Sequence, residues 1–107
     1  MKKINGFTGM ATKKSGDGHI DYELWVNARG DFFVKFIDNK VHTNRPGTHS
    51  GIFYSVKDYA DRRDSNDSIG NPAGVDETGA VVTPSDNNNG AFLKAVLCDL
   101  LPPRDIG

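Results

Sequence analysis

Apolar and polar positions alternate most regularly between Ile20 and Asn27. Ile20, Tyr22, Leu24 and Val26 interleave with Asp21, Glu23, Trp25 and Asn27, the period of two that sends alternate side chains of a strand to opposite faces. Phe32 to Ile37, dense in aromatic and β-branched residues, predicts the next strand. Ala28-Arg29-Gly30 joins them as a three-residue hairpin loop, a type I turn followed by Gly30 in the left-handed conformation that glycine adopts without a Cβ clash. With Asn27 paired to Asp31, Val26 faces Phe32, Leu24 faces Val34 and Tyr22 faces Phe36, an apolar set. The other face then pairs Trp25 with Phe33 and Glu23 with Lys35. Slipping by one residue would put Leu24 opposite Lys35, so pattern and glycine position agree on one register.

Elsewhere the pattern is shorter. Ile4 to Met10 reads as an edge strand and Ser15-Gly16-Asp17-Gly18 as a tight turn. Asp38-Asn39-Lys40 and Asn44-Arg45-Pro46-Gly47 are turn clusters around Val41-His42-Thr43, which pairs briefly at a sheet edge. Gly51 to Ser55 is a third long strand. Ser55-Val56-Lys57-Asp58 resembles a capping box with Asp in place of Glu, opening a short helix from Val56 to about Arg63. Asp64 to Gly79 has only Ile69 and Val75 to bury and reads as a long surface loop, after which Ala80 to Thr83 closes the sheet. Pro84 and Ser85 cap a final helix in which Phe92, Leu93, Val96, Leu97, Leu100 and Leu101 recur at helical spacing until Pro102-Pro103 stops it. The sum is a single α+β domain over 1–107. An antiparallel β-sheet of about four to five strands carries the C-terminal amphipathic helix on its Leu24/Val34/Phe36 face, with a second short helix beside it.

Composition fits a soluble globular domain: 107 residues, 36% hydrophobic and 25% charged. No apolar stretch approaches the roughly 20 residues of a membrane span. Met1-Lys2-Lys3 is not followed by the apolar run of a signal peptide, and the lone Cys98 forms no internal disulfide, so the cytoplasm is the expected compartment. Thirteen Lys and Arg against fourteen Asp and Glu leave a net charge of −1. Residues 1–53 are net basic and 54–107 net acidic, an asymmetry that suits head-to-tail pairing of subunits and equally suits two differently solvated faces.

Candidate chemistry is sparse. His19, His42 and His49 lack the spacing of a zinc motif, so no metal is expected. Asp64 to Gly70 begins like a calcium loop but has Ile69 where the sixth position needs glycine and Val75 where the twelfth needs Glu. No phosphate loop or nucleophile motif occurs and Cys98 falls mid-helix, so neither cofactor nor catalytic residue is assigned. The near-neutral charge argues against nucleic acid despite the aromatic Trp25, Phe33 and Phe53. Two surfaces stand out. Trp25 and Phe33, beside Glu23, Lys35 and Ile37, lie on the face that the C-terminal helix should leave uncovered. Such a patch marks a subunit interface or a ligand groove, or is covered by the N-terminal segment. Tyr59, Arg62 and Arg63 form a second surface, where an Arg pair would receive a carboxylate or phosphate, or else form a solvated helix face.

Tyr22-Glu23-Leu24-Trp25-Val26 and Asn87-Asn88-Asn89-Gly90-Ala91-Phe92-Leu93-Lys94 resemble segments of the small orphan proteins carried on mobile elements such as integron gene cassettes or phages. The resemblance implies a bacterial, cytoplasmic, compact α+β protein, often oligomeric and without assigned activity. The expected function is a non-enzymatic binding or interaction module, a homo-oligomer (dimer or larger) built through the aromatic sheet face. A small-molecule or protein partner would meet the 64–90 loop. The alternatives are a small enzyme using Glu23, Asp21 or a histidine as acid or base in a subunit-interface cleft, and an accessory or inhibitor protein binding a host macromolecule.

Overall fold

The computed structural model describes residues 1–5, 9–12, 18–43, 51–84 and 88–101, and within them the alternating segments form one antiparallel sheet. Its strands are β1 (Lys2–Lys3), β2 (Gly9–Thr12), β3 (Gly18–Val26), β4 (Phe32–Thr43), β5 (Phe53–Ser55), β6 (Gly74–Val75) and β7 (Val81–Val82). They lie in the order β1-β3-β4-β5-β6-β7, and β2 shares with β1 the outer edge of β3. The helices are α1 (Val56–Tyr59), continued by a 3-10 turn over Ala60–Arg62, and α2 (Asn88–Leu100). This is the expected α+β architecture with seven strands rather than four or five. The excess comes from two-residue strands: the N-terminal segment contributes β1 and β2 separately, and β6 forms inside the polar stretch expected to be loop.

The β3–β4 hairpin has the expected register, with Val26, Leu24 and Tyr22 opposite Phe32, Val34 and Phe36, and Trp25 and Glu23 opposite Phe33 and Lys35. Gly30 takes φ +87°. The Asn27 side chain completes the turn, its Oδ1 accepting from the amides of Arg29 at 3.0 Å and Asp31 at 2.9 Å. Past Tyr22 the register shifts before Ile20 meets Val41. Asp38-Asn39-Lys40, expected as a turn, is therefore absorbed as an irregularity inside β4. Keeping the strand on its partner preserves ladder hydrogen bonds that a reversal there would forfeit. Val41-His42-Thr43 does pair, with Ile20, His19 and Gly18. The long strand expected over Gly51–Ser55 is limited to Phe53–Ser55. The turns at Ser15-Gly16-Asp17 and Asn44–Gly47, the Ser85 cap and the Pro102-Pro103 stop lie outside the described residues.

Helix α2 lays Phe92, Leu93, Val96 and Leu97, all fully buried, on Ile20, Tyr22, Val34, Phe36 and Tyr54 of the sheet and on Ile52 just before β5. Burial of each such side chain stabilises the fold by about 1.5–3 kcal/mol. The Phe36 ring lies 5.9 Å from Tyr54 and 6.1 Å from Phe92, tilted to both. Leu24, Val56, Tyr59, Ile69, Leu100 and Leu101 close the margins. Asn89 is fully buried and its Nδ2 donates to the Tyr54 hydroxyl at 2.5 Å, which docks the first turn of α2 on β5. A Cβ on Gly90 would collide with the Gly70 carbonyl, so helix and loop meet backbone to backbone there.

Removing a buried hydrogen-bonding partner costs more than the net worth of the bond, because the remaining group loses hydration as well. Asn89→Ala is expected to lower the unfolding free energy by about 1–3 kcal/mol in urea denaturation, with an unchanged dependence on denaturant. Wild-type stability in this variant would show that the Asn89–Tyr54 contact does not anchor the helix.

Candidate functional site

Because α2 lies on one face only, the cross-strand register lays out the other as two rows. Lys3, Trp25, Phe33 and Ser55 stand side by side across β1, β3, β4 and β5. Glu23, Lys35, Phe53, Val75 and Val81 form the next row, from β3 to β7. Ile37 continues β4 two residues past Lys35 and is half-buried. An antiparallel sheet with one solvated face ordinarily turns polar side chains outward. This outer face instead carries Trp25, Phe33, Phe53 and Val75 at its centre.

The aromatic rings are held by charges. Trp25 packs edge-on against Phe53, with centroids 5.1 Å apart and planes at 75°. The Lys35 ammonium sits 5.2 Å from the Trp25 centroid and 5.4 Å from that of Phe53, so its stem shields both rings while its charge meets their π-faces. The Trp25 indole Nε1 donates to Glu23 Oε1 at 3.1 Å, and Lys3 Nζ pairs with Glu23 Oε2 at 2.9 Å. Burial pushes the Glu23 carboxyl up, but the hydrogen bonds from Lys3 and Trp25 and the charges of Lys3 and Lys35 outweigh it, leaving the group below its ordinary value. A carboxylate held ionised in this way is an anchor for its neighbours. General acid–base work near neutrality calls for the opposite shift.

Trp25, Phe33, Glu23 and Lys35 are thus brought together as the sequence predicts. Phe53, only 5% exposed, and Lys3 complete the group and were missing from the expected set. The signal for Phe53 was present, since it alternates with Ile52 and Tyr54, which the core takes. Lys3 had none, because a two-residue strand shows no period. Among the described residues, the N-terminal segment reaches this face through Lys3 at its rim, and the structure shows no cover laid across the rings.

The second surface is organised differently. Ser55 Oγ accepts from the Asp58 amide at 3.2 Å and starts α1 as the capping pattern predicts. The Tyr59 hydroxyl donates to the Ala73 carbonyl at 2.8 Å, and burial raises its pKa. Arg62 Nη2 donates to the Ser68 carbonyl at 2.6 Å, and Arg63 Nη1 reaches both Asp64 carboxylate oxygens at 2.8 and 3.0 Å. From α2, Lys94 Nζ donates to the carbonyls of Ser65 and Asp67, the latter at 2.8 Å. Residues 62–70 therefore form a strap fastened to α2 by cation–carbonyl bonds. Tyr59 ties α1 to Ala73, Arg62 and Arg63 bond within the strap itself, and the buried Arg63 Nε has no hydrogen-bond partner among the described residues. His19 and His42 are cross-strand neighbours in backbone register, and His49 lies outside the described residues.

Comparison of the chain with protein-family models, curated proteins and solved structures returned no match. Among the described residues no helix is long and apolar enough to cross a membrane, and no group of three His, Cys, Asp or Glu is placed to hold a metal ion.

Two measurements check this arrangement. A carboxylate whose pKa is depressed by folding adds stability above its unfolded value and loses it as pH falls through the folded one. Glu23→Gln is therefore expected to cost about 0.5–1 kcal/mol near neutral pH. That difference from wild type should close as the pH falls below 4.5, the ordinary carboxylate value. A difference that persists unchanged in acid would assign the loss to packing. Lys94→Met is expected to raise the rate of proteolytic nicking within 64–70 several-fold while the far-ultraviolet spectrum holds, because the strap loses its cation. Equal nicking rates would mean that Gly90 packing alone fixes it.

Proposed function

We propose that this chain is a non-enzymatic interaction module that associates with copies of itself through the outer sheet face centred on Trp25, Phe33 and Phe53. The observation that carries the reading is the side of the sheet opposite α2, where half-buried Trp25 and Phe33 stand beside the buried Phe53 and Lys3, Glu23 and Lys35 lie next to them. Interfaces are built in that way: ring residues at the middle supply most of the binding energy, and polar groups around them exclude water and set orientation. The module is placed in the cytoplasm, where the lone Cys98 stays reduced. The bacterial mobile-element character suggested by the Tyr22–Val26 and Asn87–Lys94 segments belongs to the same proposal.

Molar mass by light scattering after size exclusion, across a dilution series, tests it. Wild type is expected as a dimer or larger, and the Trp25→Ser, Phe33→Ser double variant as a folded monomer. A wild type monomeric at every concentration would end the self-association reading. An oligomeric double variant would move the interface off this face.

A further inference from the structure

Between Tyr22 and Ile20 the two central strands fall out of step. β3 passes a single residue, Asp21, while β4 passes Ile37, Asp38, Asn39 and Lys40 before pairing resumes at Ile20 and Val41. The resumed register sets His19 directly opposite His42, with Gly18 opposite Thr43 beyond them. On the other side of β3, Thr12 of β2 takes the position opposite His19. Two histidines far apart in the chain thus occupy one rung of the sheet. Motif spacing along the sequence does not register such a pair, because the strands and not the interval between the residues bring it together.

Parity along β3 puts His19 on the outer face with Asp21, Glu23 and Trp25, since the alternate residues Ile20 and Tyr22 are buried beneath α2. His42, as its cross-strand partner, shares that face. Residues directly opposite in an antiparallel pair have Cβ atoms about 4.5–5.5 Å apart, and like charges at such positions destabilise the sheet. Two protonated imidazoles on one rung therefore oppose each other. Two neutral ones at the same spacing can meet on a single metal ion, whose bonds to histidine nitrogen are about 2.0–2.1 Å long. Backbone pairing holds both ligand-bearing residues in advance, so less freedom is lost when the ion binds. The adjoining irregularity in β4 fits this reading, because bulges bend and twist a strand locally and are common beside functional sites.

We propose that the rung of His19 and His42 binds a divalent transition-metal ion, with one imidazole supplied by each strand. Imidazole nitrogen suits zinc, copper and nickel, whereas magnesium and calcium take oxygen ligands. The ion ties β3 to β4 at the end of the hairpin remote from the Asn27–Asp31 turn, and because it binds the folded chain it stabilises that chain. The site is independent of self-association through the aromatic rows.

Zinc titration of the tag-free, metal-stripped chain against a chromophoric chelator, read together with thermal unfolding, tests the proposal. Wild type should bind one zinc ion per chain and unfold at a higher temperature with zinc than without it. His19→Ala and His42→Ala should each lose both the binding and the thermal shift. His49→Ala and Cys98→Ser, which remove the remaining imidazole and the thiol, should keep them. Where circular dichroism shows an alanine variant unfolded, His19→Gln or His42→Gln takes its place. Binding should also weaken as pH falls below about 6.5, where imidazole takes up a proton and ceases to be a ligand. Failure of wild type to bind zinc, binding that survives in either rung variant or is indifferent to pH, or its loss in His49→Ala or Cys98→Ser overturns the proposal. One ion per two chains overturns it as well, since the ligands would then come from different copies.

Discussion

The turn between Asn27 and Asp31 imposes a parity on the sheet that every later contact inherits. Side chains alternate faces with a period of two, so a shift of one residue in this hairpin would put Leu24 opposite Lys35 and turn one strand's polar set beneath α2. Two features hold the parity: Gly30 in the left-handed region, and the Asn27 side-chain Oδ1 accepting from two amides. With it set, Tyr22, Val34 and Phe36 meet the helix, and Glu23, Trp25 and Lys35 are assembled on the other side. Core and candidate interface are consequences of the same local geometry, and neither can be altered in register without the other.

On the helix side, the same economy of groups recurs in the strap. Backbone carbonyls of Ser65, Asp67 and Ser68 would be difficult to satisfy in a segment without regular structure. Lys94 and Arg62 satisfy them with charged donors, the stronger kind of hydrogen bond.

What could be read in the sequence was local. The β3–β4 register, the Ser55 cap and the apolar stripe of α2 each depend on residues within a few positions of one another, and each is found. Two-residue strands such as β1 and β6 carry too few positions for any period, and their pairing is decided by neighbours already in the sheet, whereas β7 falls within the closing strand expected over Ala80–Thr83. Asp38-Asn39-Lys40 has turn composition, yet β3 runs on past it and the ladder overrides local preference. For the candidate sites, Trp25, Phe33, Glu23 and Lys35 were legible because one hairpin assembles them. Phe53 joins only once β5 lies beside β4. Tyr59 and Arg62 meet main-chain carbonyls, which every residue has and no sequence pattern advertises, whereas Arg63 meets the carboxylate of its neighbour Asp64.

Lys35 has a consequence for the lifetime of the chain before it meets anything. With its stem across Trp25 and Phe53 and its ammonium at their faces, a newly folded protomer presents a hydrated cation where bare rings would otherwise meet water. Indiscriminate ring-to-ring sticking between freshly made copies must first displace that cation, at the expense of both its hydration and its contact with the rings. One lysine thereby sets how much ring surface the folded chain leaves to water.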